Sequence, residues 1–449
     1  MQTENKMAVM PVGRLICQMS APPLTSMFLQ YSYNMIDSAF VAQLSESALT
    51  AVSLSFPITT LMCAASIWIG VGINVLIAGY LGKKDQDAAN TTVTLGLLLS
   101  FVVGVLLNAA ALLVLRPYFA AFTDNAEIYG LCLDYMGICA FMQVPNMVHI
   151  AIQKMIQATG NMLSPMWFQI AGVVVNFVMD PVLIFGLGPF PALGIQGAAI
   201  ATVAGYLVST VLAFFVLLKT HQRVQVKRKG FQFQWEMVRQ VFAFGLPSFI
   251  MNALGSCMVT LVNIFLVAYS ETAIAFFGAY FKVQQLIVMT VNGLIQGCLP
   301  IMRFNYGAGN RQRLQLAFRY GMLLATGLMG LGTLILLLFP SQILGLFHAS
   351  EEMLSFGISA MRIMAAGFVF CGLSTMISTY LQATERVLSS IFVQLSRQLL
   401  FLLPFLWALE RCFQIHGVWL AFPAAEISTF LVALLLLAWY QRRSLPRGA

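Results

Sequence analysis

The sequence predicts an all-α membrane protein of twelve transmembrane helices, arranged as two six-helix lobes that are related by an internal repeat. Three observations lead to this fold class: the composition, the recurrence of long charge-free runs, and a repeat of constant offset. Of the 449 residues, 59% are apolar and only 9% are charged, and the mean hydropathy is +0.85. Soluble domains average about 25% charged residues. The chain is therefore expected to be an integral membrane protein.

Charge-free runs of helical length recur along the whole chain. A helix needs roughly 20 apolar residues to cross the hydrocarbon core, and no series of short alternating strands predicts a barrel. The run 181–218 is divided by GLGPFPALG, whose Gly and Pro residues are typical of a turn. The twelve predicted helices lie near residues 12–43, 47–80, 87–115, 125–157, 162–185, 194–218, 236–269, 273–303, 312–339, 351–381, 387–410 and 414–441.

The distribution of charge predicts the orientation of these helices. With both termini in the cytoplasm, the inner loops and tails hold most of the Lys and Arg residues, including the basic stretch HQRVQVKRKG at 221–230. The outer loops then hold seven Asp and Glu residues but only Arg116 and Arg411 as basic residues. This asymmetry is the positive-inside pattern. The net charge of +8 therefore reports topology in the cell membrane, and a nucleic-acid partner is not expected.

The repeat appears when the chain is aligned with itself at an offset of 225 residues. IQATGNMLS at 156–164 then matches LQATERVLS at 381–389, and Gly72, Gly82 and Gly96 all fall opposite glycines. A shift of 220 pairs Gly197 with Gly417 near the ends of the two halves. One offset that holds over so many separated positions is hard to obtain by chance.

Six predicted helices separate each matched pair, so the two repeats enter the membrane in the same sense. The domains predicted on this basis are an N-terminal lobe over 1–218, a cytoplasmic basic linker over 219–235 and a C-terminal lobe over 236–449. Repeat-built transporters commonly bind substrate near the middle of the membrane and alternate the side from which the site is reached.

Three stretches resemble the multidrug and toxic compound extrusion (MATE) family. They are YNMID in helix one, ALTAVSLSFP at the start of helix two and LPIMRFNYGAGNRQR at the end of helix eight, and the resemblance extends over nearly the whole chain. It implies an outward-opening V between two lobes. It also implies secondary active export of amphipathic, often cationic compounds in exchange for protons or sodium ions, without enzymatic activity.

Asp37 is the acid that most needs an explanation, because it follows an apolar run in helix one. A carboxylate in hydrocarbon is costly unless it is paired, hydrated or protonated. In helix five, Asn176 and Asp180 are four residues apart and share one helix face. By resemblance, the coupling site for the cation or proton consists of Asp37, Asn176, Asp180 and Thr202. Their repeat counterparts are Asn263 at an offset of 226, Phe401 and Phe405 at an offset of 225, and Phe422 at an offset of 220, so the first lobe is expected to handle the ion.

Further polar residues are candidates for substrate or cavity contacts. Gln30 and Asn34 form a polar stripe with Asp37 at i, i+4 and i+7 spacing, and Tyr33 lies one turn before Asp37. The candidates of this kind are Gln30, Tyr33, Asn34, Tyr135, Asn263 and Lys282. For the two acids, there are alternatives to a role in ion coupling. Asp37 is then a hydrated residue at the outer rim, and Asp180 caps a helix break before Pro181. In the second lobe, four charged residues are expected to be buried within or near the spans and to pair internally: Lys282, Arg362, Arg397 and Glu426. The alternative for these residues is gating or substrate contact.

Two other classes of function compete with a drug antiporter. A flippase for lipid-linked precursors would carry several basic residues along its cavity and more than twelve helices. A membrane-embedded enzyme such as a prenyl transferase would need an acidic magnesium site, and the one near match, Asp85 and Asp87 in GKKDQD, lies in a short loop beside lysines. No GxxxxGK motif for ATP is present. No cofactor, metal site or disulfide is expected, and the expected partners of this monomer are amphipathic small molecules and membrane lipid.

Overall fold

The computed structural model describes residues 5–219, 223–227, 230–266, 268–347 and 350–444, apart from a few side chains within them. The predicted linker over 219–235 is therefore described only in part, since His221 and three further residues of its basic stretch lie outside these ranges. The described chain is almost entirely helical, and it contains no strand.

The helices of the N-terminal half are α1 (Lys6–Val9), α2 (Val12–Ala42), α3 (Glu46–Gly82), α4 (Gln86–Phe122), α5 (Ala126–Cys139), α6 (Gln143–Ala158), α7 (Leu163–Phe185) and α8 (Ile195–Lys219). The helices of the C-terminal half are α9 (Trp235–Leu266), α10 (Glu271–Gly307), α11 (Arg311–Leu338), α12 (Pro340–Gly345), α13 (Glu351–Ala365), α14 (Phe368–Ala383), α15 (Val387–Leu395), α16 (Leu403–Phe413) and α17 (Ile415–Ser444).

Eleven helical stretches within the described ranges are long and apolar enough to cross a membrane. Together with α2, which is 31 residues long, they correspond one to one with the twelve predicted helices. Since a residue adds about 1.5 Å of rise, α2 spans more than the roughly 30 Å hydrocarbon core. The predicted all-α membrane fold is confirmed.

Three of the predicted helices are interrupted, and proline or glycine accounts for each interruption. The fourth predicted helix is divided into α5 and α6 by a 3₁₀ turn over Ala140–Met142, because Pro145 has no N–H to continue the ladder. Before Pro404 the chain widens into a π-helix over Ser396–Leu402 for the same reason. Gly367 lies at the break between α13 and α14. Sequence patterning alone predicted single helices at all three places.

The described part of the linker runs along the start of α4. The amide N–H of Gln225 donates to Asn90 Oδ1 at 2.9 Å, and Lys227 Nζ lies 2.7 Å from a carboxylate oxygen of Asp87. Asp85 accepts from the backbone N–H of Ala88 and so caps α4. Both acids of GKKDQD therefore have structural partners, which is not what a magnesium site requires.

The chain forms two compact units. The first unit comprises Met1–Val9, Ala21–Asn252 and Gly307–Gly309, and the second comprises Met10–Ser20, Ala253–Tyr306 and Asn310–Ala449. Each contains its own apolar core: Phe119 and Met136 are fully buried in the first, and Phe276 and Trp419 in the second. The domain boundaries predicted from the repeat, with lobes over 1–218 and 236–449, stay a prediction.

The repeat is visible in matching contacts within each unit. A Cβ on Gly197 would lie 2.5 Å from the carbonyl oxygen of Leu183, and a Cβ on Gly417 would lie 1.9 Å from that of Leu409. Both glycines therefore allow the last helix of a repeat to approach the preceding one closely. At the offset of 225, the hydrogen bond between Gln153 and Gln169 corresponds to the one between Ser378 and Gln394.

Candidate functional site

Three helices of the first unit bring the four predicted coupling residues together. Asp37 comes from α2, Asn176 and Asp180 from α7 and Thr202 from α8. Asp180 is fully buried and Asn176 is 5% exposed, while the Asn176 amide lies 3.4 Å from Thr202 Oγ1. Since α7 continues through Pro181 to its end at Phe185, Asp180 does not cap a helix break.

Tyr33 connects the amide and the carboxyl groups of this cluster. Its hydroxyl lies 2.9 Å from Asp180 Oδ2 and in hydrogen-bond contact with the side-chain amide of Asn176. The hydroxyl carries only one proton, so it can donate to only one of them. With the Asn176 NH₂ turned toward Tyr33 and Asp180, it lies 3.1 Å from either Asp180 oxygen. Every group then has a partner, and Asp180 accepts from both Tyr33 and Asn176.

The carboxyl groups of Asp37 and Asp180 hydrogen-bond to each other. Ionised carboxylates are acceptors only, so this contact requires a proton on one of the two groups. The pair therefore shares one proton, while Asp180 also accepts from Tyr33 and Asn176. The other oxygen of Asp37, Oδ1, is buried and has no hydrogen-bond partner among the described residues. The alternative of a simply hydrated rim residue does not describe this environment.

An apolar shell surrounds the acids on the side of α3 and α5. Tyr135 is 8% exposed and lies close enough to Asp37 and Asp180 to interact with them electrostatically. Val41 and Ile184, also buried, belong to the same cluster of packed side chains. A low-dielectric surrounding strengthens any change of charge at the carboxyl pair. Tyr135 packs against the acid cluster and does not belong to the lining of the cavity described next, so its contact with substrate stays a prediction.

A cavity adjoins the acid cluster between α2, α6, α7 and α8. Gln30 and Tyr33 line it, together with Asn176 and Thr202. Asn34 is exposed, and Gln30 is its neighbour at 3.5 Å. The further lining residues, which the sequence interpretation did not single out, are His149, Gln169, Gly172, Val173, Gly205, Tyr206 and Ser209.

A signal for these further residues was present in α6. Gln143, Asn146, His149, Gln153 and Gln157 recur every three or four residues in a helix whose other residues are apolar apart from Lys154, and all five are buried. Such a polar stripe on a membrane helix indicates a face that is turned away from lipid.

The remaining candidates belong to the second unit. Asn263 has a buried Oδ1 without a hydrogen-bond partner among the described residues. Lys282 and Arg362 are exposed rather than buried, which corrects the expectation for these two; both lie on helix faces that the packing of the second unit leaves open. Arg397 and Glu426 do pair internally, with 3.4 Å between Nε and Oε2.

Comparison with known proteins identifies the family. The sequence model of the MatE family matches residues 22–182 and again residues 247–407, two segments separated by the 225-residue offset of the internal repeat. The chain belongs to the MatE family. Its proteins are transporters, so this multi-pass membrane protein is a transporter and not an enzyme, and the resemblance drawn from the sequence motifs is confirmed.

Several relatives align with this MATE transporter over nearly their whole length. It is 26% identical over 423 residues to the FAD transporter of Shewanella oneidensis, covering 93% of this chain and 92% of the relative. It is 23% identical over 433 residues to the multidrug export protein MepA of Staphylococcus aureus, covering 95% and 93%. A solved outward-facing structure of a multidrug resistance MATE family transporter has a TM-score of 0.91 at 22% identity, covering 99% and 98%.

Proposed function

We propose that this MATE transporter is a proton-coupled antiporter that exports amphipathic, often cationic small molecules by alternating access. The observation that carries the proposal is the hydrogen bond between the carboxyl groups of Asp37 and Asp180 in the first unit. A pair of adjacent carboxyls that shares one proton can take up or release that proton when its surroundings change.

The coupling follows from the shared contacts of the cluster. Tyr33, Asn176 and Thr202 contact the acids or their neighbours and also line the cavity. A cationic substrate in that cavity favours the ionised form of the pair, whereas a proton on Asp37 weakens the attraction for the cation. Substrate and proton therefore compete thermodynamically for one state of the protein, as exchange requires.

Sodium is the alternative coupling ion, because carboxylate, amide and hydroxyl oxygens also suit a hard cation. Purified protein in liposomes decides between the ions. Dye transport is expected under an imposed pH gradient with no sodium present, and no transport is expected under a sodium gradient at equal pH. Transport driven by sodium alone would reject proton coupling while leaving the antiporter intact, and transport under neither gradient would reject both.

A second substrate class is favoured by the relative named as a FAD transporter. That protein shares 26% identity with this chain over 93% of its length, more than MepA shares. Flavin compounds are therefore proposed as substrates beside cationic drugs. Counterflow of a labelled flavin in the same liposomes tests this, and no flavin counterflow beside active dye transport would reject it.

We place the transporter as a monomer in the plasma membrane with both termini in the cytoplasm, on the basis of the positive-inside pattern. A tag inserted at 221–230, part of which lies outside the described residues, is expected to be labelled only from the cytoplasm. A tag near Ser350 is expected to be labelled only from outside. Labelling of both tags from one side would overturn this topology.

A further inference from the structure

The cavity of the first unit has two chemically different ends. At one end Tyr33, Asn176 and Thr202 adjoin the carboxyl pair, and at the other end the lining includes His149 and Tyr206. The proposed proton exchange uses only the first end. The second end therefore contains polar groups whose role the coupling mechanism does not explain.

His149 is the most unusual of these groups. Its side chain is only 4% exposed, and neither ring nitrogen has a hydrogen-bond partner among the described residues. The ring is held edge-on by Phe168 at 5.4 Å and faces Tyr206 at 6.4 Å, centroid to centroid. A buried polar group without a partner is unfavourable, so a residue of this kind points to a ligand that supplies the missing hydrogen bond.

The neighbouring side chains add neutral hydrogen-bonding capacity. The Oε1 atom of Gln169 accepts from Gln153 Nε2 at 2.9 Å, and the NH₂ group of Gln169 is a donor in the same cavity lining. A neutral imidazole offers one donor and one acceptor, and Thr202 and Asn176 offer hydroxyl and amide groups. The described residues that line this cavity include no lysine or arginine, so their groups match a ligand that presents both N–H and C=O groups.

The second unit shows what fills the corresponding place in the other repeat. At the offset of 225, His149 and Gly172 correspond to Ser374 and Arg397, and at the offset of 220 Tyr206 corresponds to Glu426. The alignment is supported by a conserved contact, since Gln169 and Gln153 correspond to Gln394 and Ser378, which are also hydrogen-bonded, at 3.2 Å.

In that unit the planar guanidinium of Arg397 occupies the space. It donates to Ser374 Oγ at 2.8 Å and pairs with Glu426 at 3.4 Å. In the first unit the residue in the place of Arg397 is Gly172, where even a Cβ would lie 1.9 Å from Ser209 Oγ. The second repeat therefore supplies its own planar, nitrogen-rich group beside the serine that corresponds to His149, whereas the first repeat has a glycine at the position of that arginine and supplies no such group.

We propose that His149 is a specificity-determining residue that hydrogen-bonds a planar, uncharged nitrogen heterocycle through an edge with adjacent N–H and C=O groups, such as the fused ring of a flavin. Tyr206 and Tyr33 offer aromatic surfaces to the faces of such a ring. This inference rests on the proposed export function and specifies one substrate class for the same cavity. A site that hydrogen-bonds its ligand discriminates strongly against an analogue that lacks the partner groups.

The test compares two ligands that differ in this respect. Riboflavin carries the uncharged heterocycle, whereas tetraphenylphosphonium is an aromatic cation without hydrogen-bonding groups. Affinities are measured for the full-length protein in nanodiscs, by quenching of flavin fluorescence and by binding of the radiolabelled cation. His149→Leu is expected to weaken riboflavin binding about tenfold, the loss that corresponds to one hydrogen bond, and to change the affinity for tetraphenylphosphonium less than about twofold.

Two further variants separate a binding role from a structural one. His149→Gln keeps a donor and an acceptor and is expected to recover most of the riboflavin affinity. Ser374→Ala, at the matching position of the second repeat, is expected to leave both affinities unchanged. Equal losses for both ligands, no loss for either, or no recovery in His149→Gln would overturn the inference. Failure of the wild-type protein to transport in liposomes would instead reject the export function, because binding is measured independently.

Discussion

The two units share a scaffold but differ in what occupies the interior of the repeat. In the first unit, Asp37 and Asp180 lie in a buried polar cluster beside a cavity. In the second, the counterparts of the α7 residues are Phe401 and Phe405, which stack on each other at 6.2 Å, and Arg397 with Glu426 takes the place of the cavity lining. The two repeats keep matching helix contacts but differ in the side chains of their interiors.

The largest effect is expected from the acids that only the first unit retains. Asp37→Asn keeps the size of the protonated carboxyl and can still donate to Asp180, but it cannot release a proton. Gradient-driven efflux is expected to fall about 100-fold or more, and Asp180→Asn is expected to do the same. The double variant is expected to be little worse than either, as for residues that act as a unit. Dye efflux from cells at matched abundance measures this, and wild-type efflux by Asp37→Asn would contradict the mechanism.

The second effect concerns the ion pair that only the second unit retains. Arg397→Ala leaves Glu426 buried without its partner, and loss of one member of a buried pair costs about 3–5 kcal/mol. A clear drop in the thermal unfolding temperature of the purified protein is expected. The paired variant Arg397→Met with Glu426→Gln is expected to recover most of it. A drop that the paired variant does not recover would show that the charges are not what stabilises this region.

A smaller effect tests the scaffold that both units share. Gly197→Ala and Gly417→Ala each place a Cβ within 2.5 Å of a carbonyl oxygen on the preceding helix, and overpacking of this kind costs about 1–3 kcal/mol. Both variants are expected to lower the unfolding temperature. Gly327→Ala is the matched control, since nothing lies within 4 Å of its Cβ. A change in only one of the two repeats would show that the contacts are not equivalent.

The smallest effect is expected at Asn263, the repeat counterpart of Asp37. An amide cannot exchange a proton, so Asn263→Ala is expected to change the dependence of efflux on the pH gradient less than about twofold. Transport rates at several imposed gradients in liposomes measure it. A loss equal to that of Asp37→Asn would assign ion coupling to both units.

The sequence could predict those features that depend on residues close together in the chain or on a fixed spacing along it. Twelve helices follow from charge-free length, and the repeat follows from a constant offset; both are properties of the chain. That Asp37 lies close to Asn176 and Asp180 could be predicted only from the family resemblance, because α2 and α7 are far apart in sequence. His149 was missed, since its lack of partners depends on packing by Phe168 and Tyr206, which no local pattern encodes.

The burial expected for Lys282 and Arg362 was wrong for a related reason. Apolar flanks predict that a residue lies in a span, but they do not show which way it faces within the bundle. Arg362 reaches the backbone carbonyl of Leu337 at 3.1 Å while it stays exposed. The direction in which a side chain points within the bundle is determined by the neighbouring helices rather than by the residue itself.

The most direct measurement of the central claim is proton release on substrate binding. Purified transporter is placed in weakly buffered detergent solution with a pH indicator, and a cationic substrate is added in excess. The wild-type protein and Asn263→Ala are expected to release protons, because the cation favours the ionised Asp37–Asp180 pair. Asp37→Asn is expected to bind substrate without releasing any. Equal release by Asp37→Asn would show that the exchanged proton comes from elsewhere in the protein.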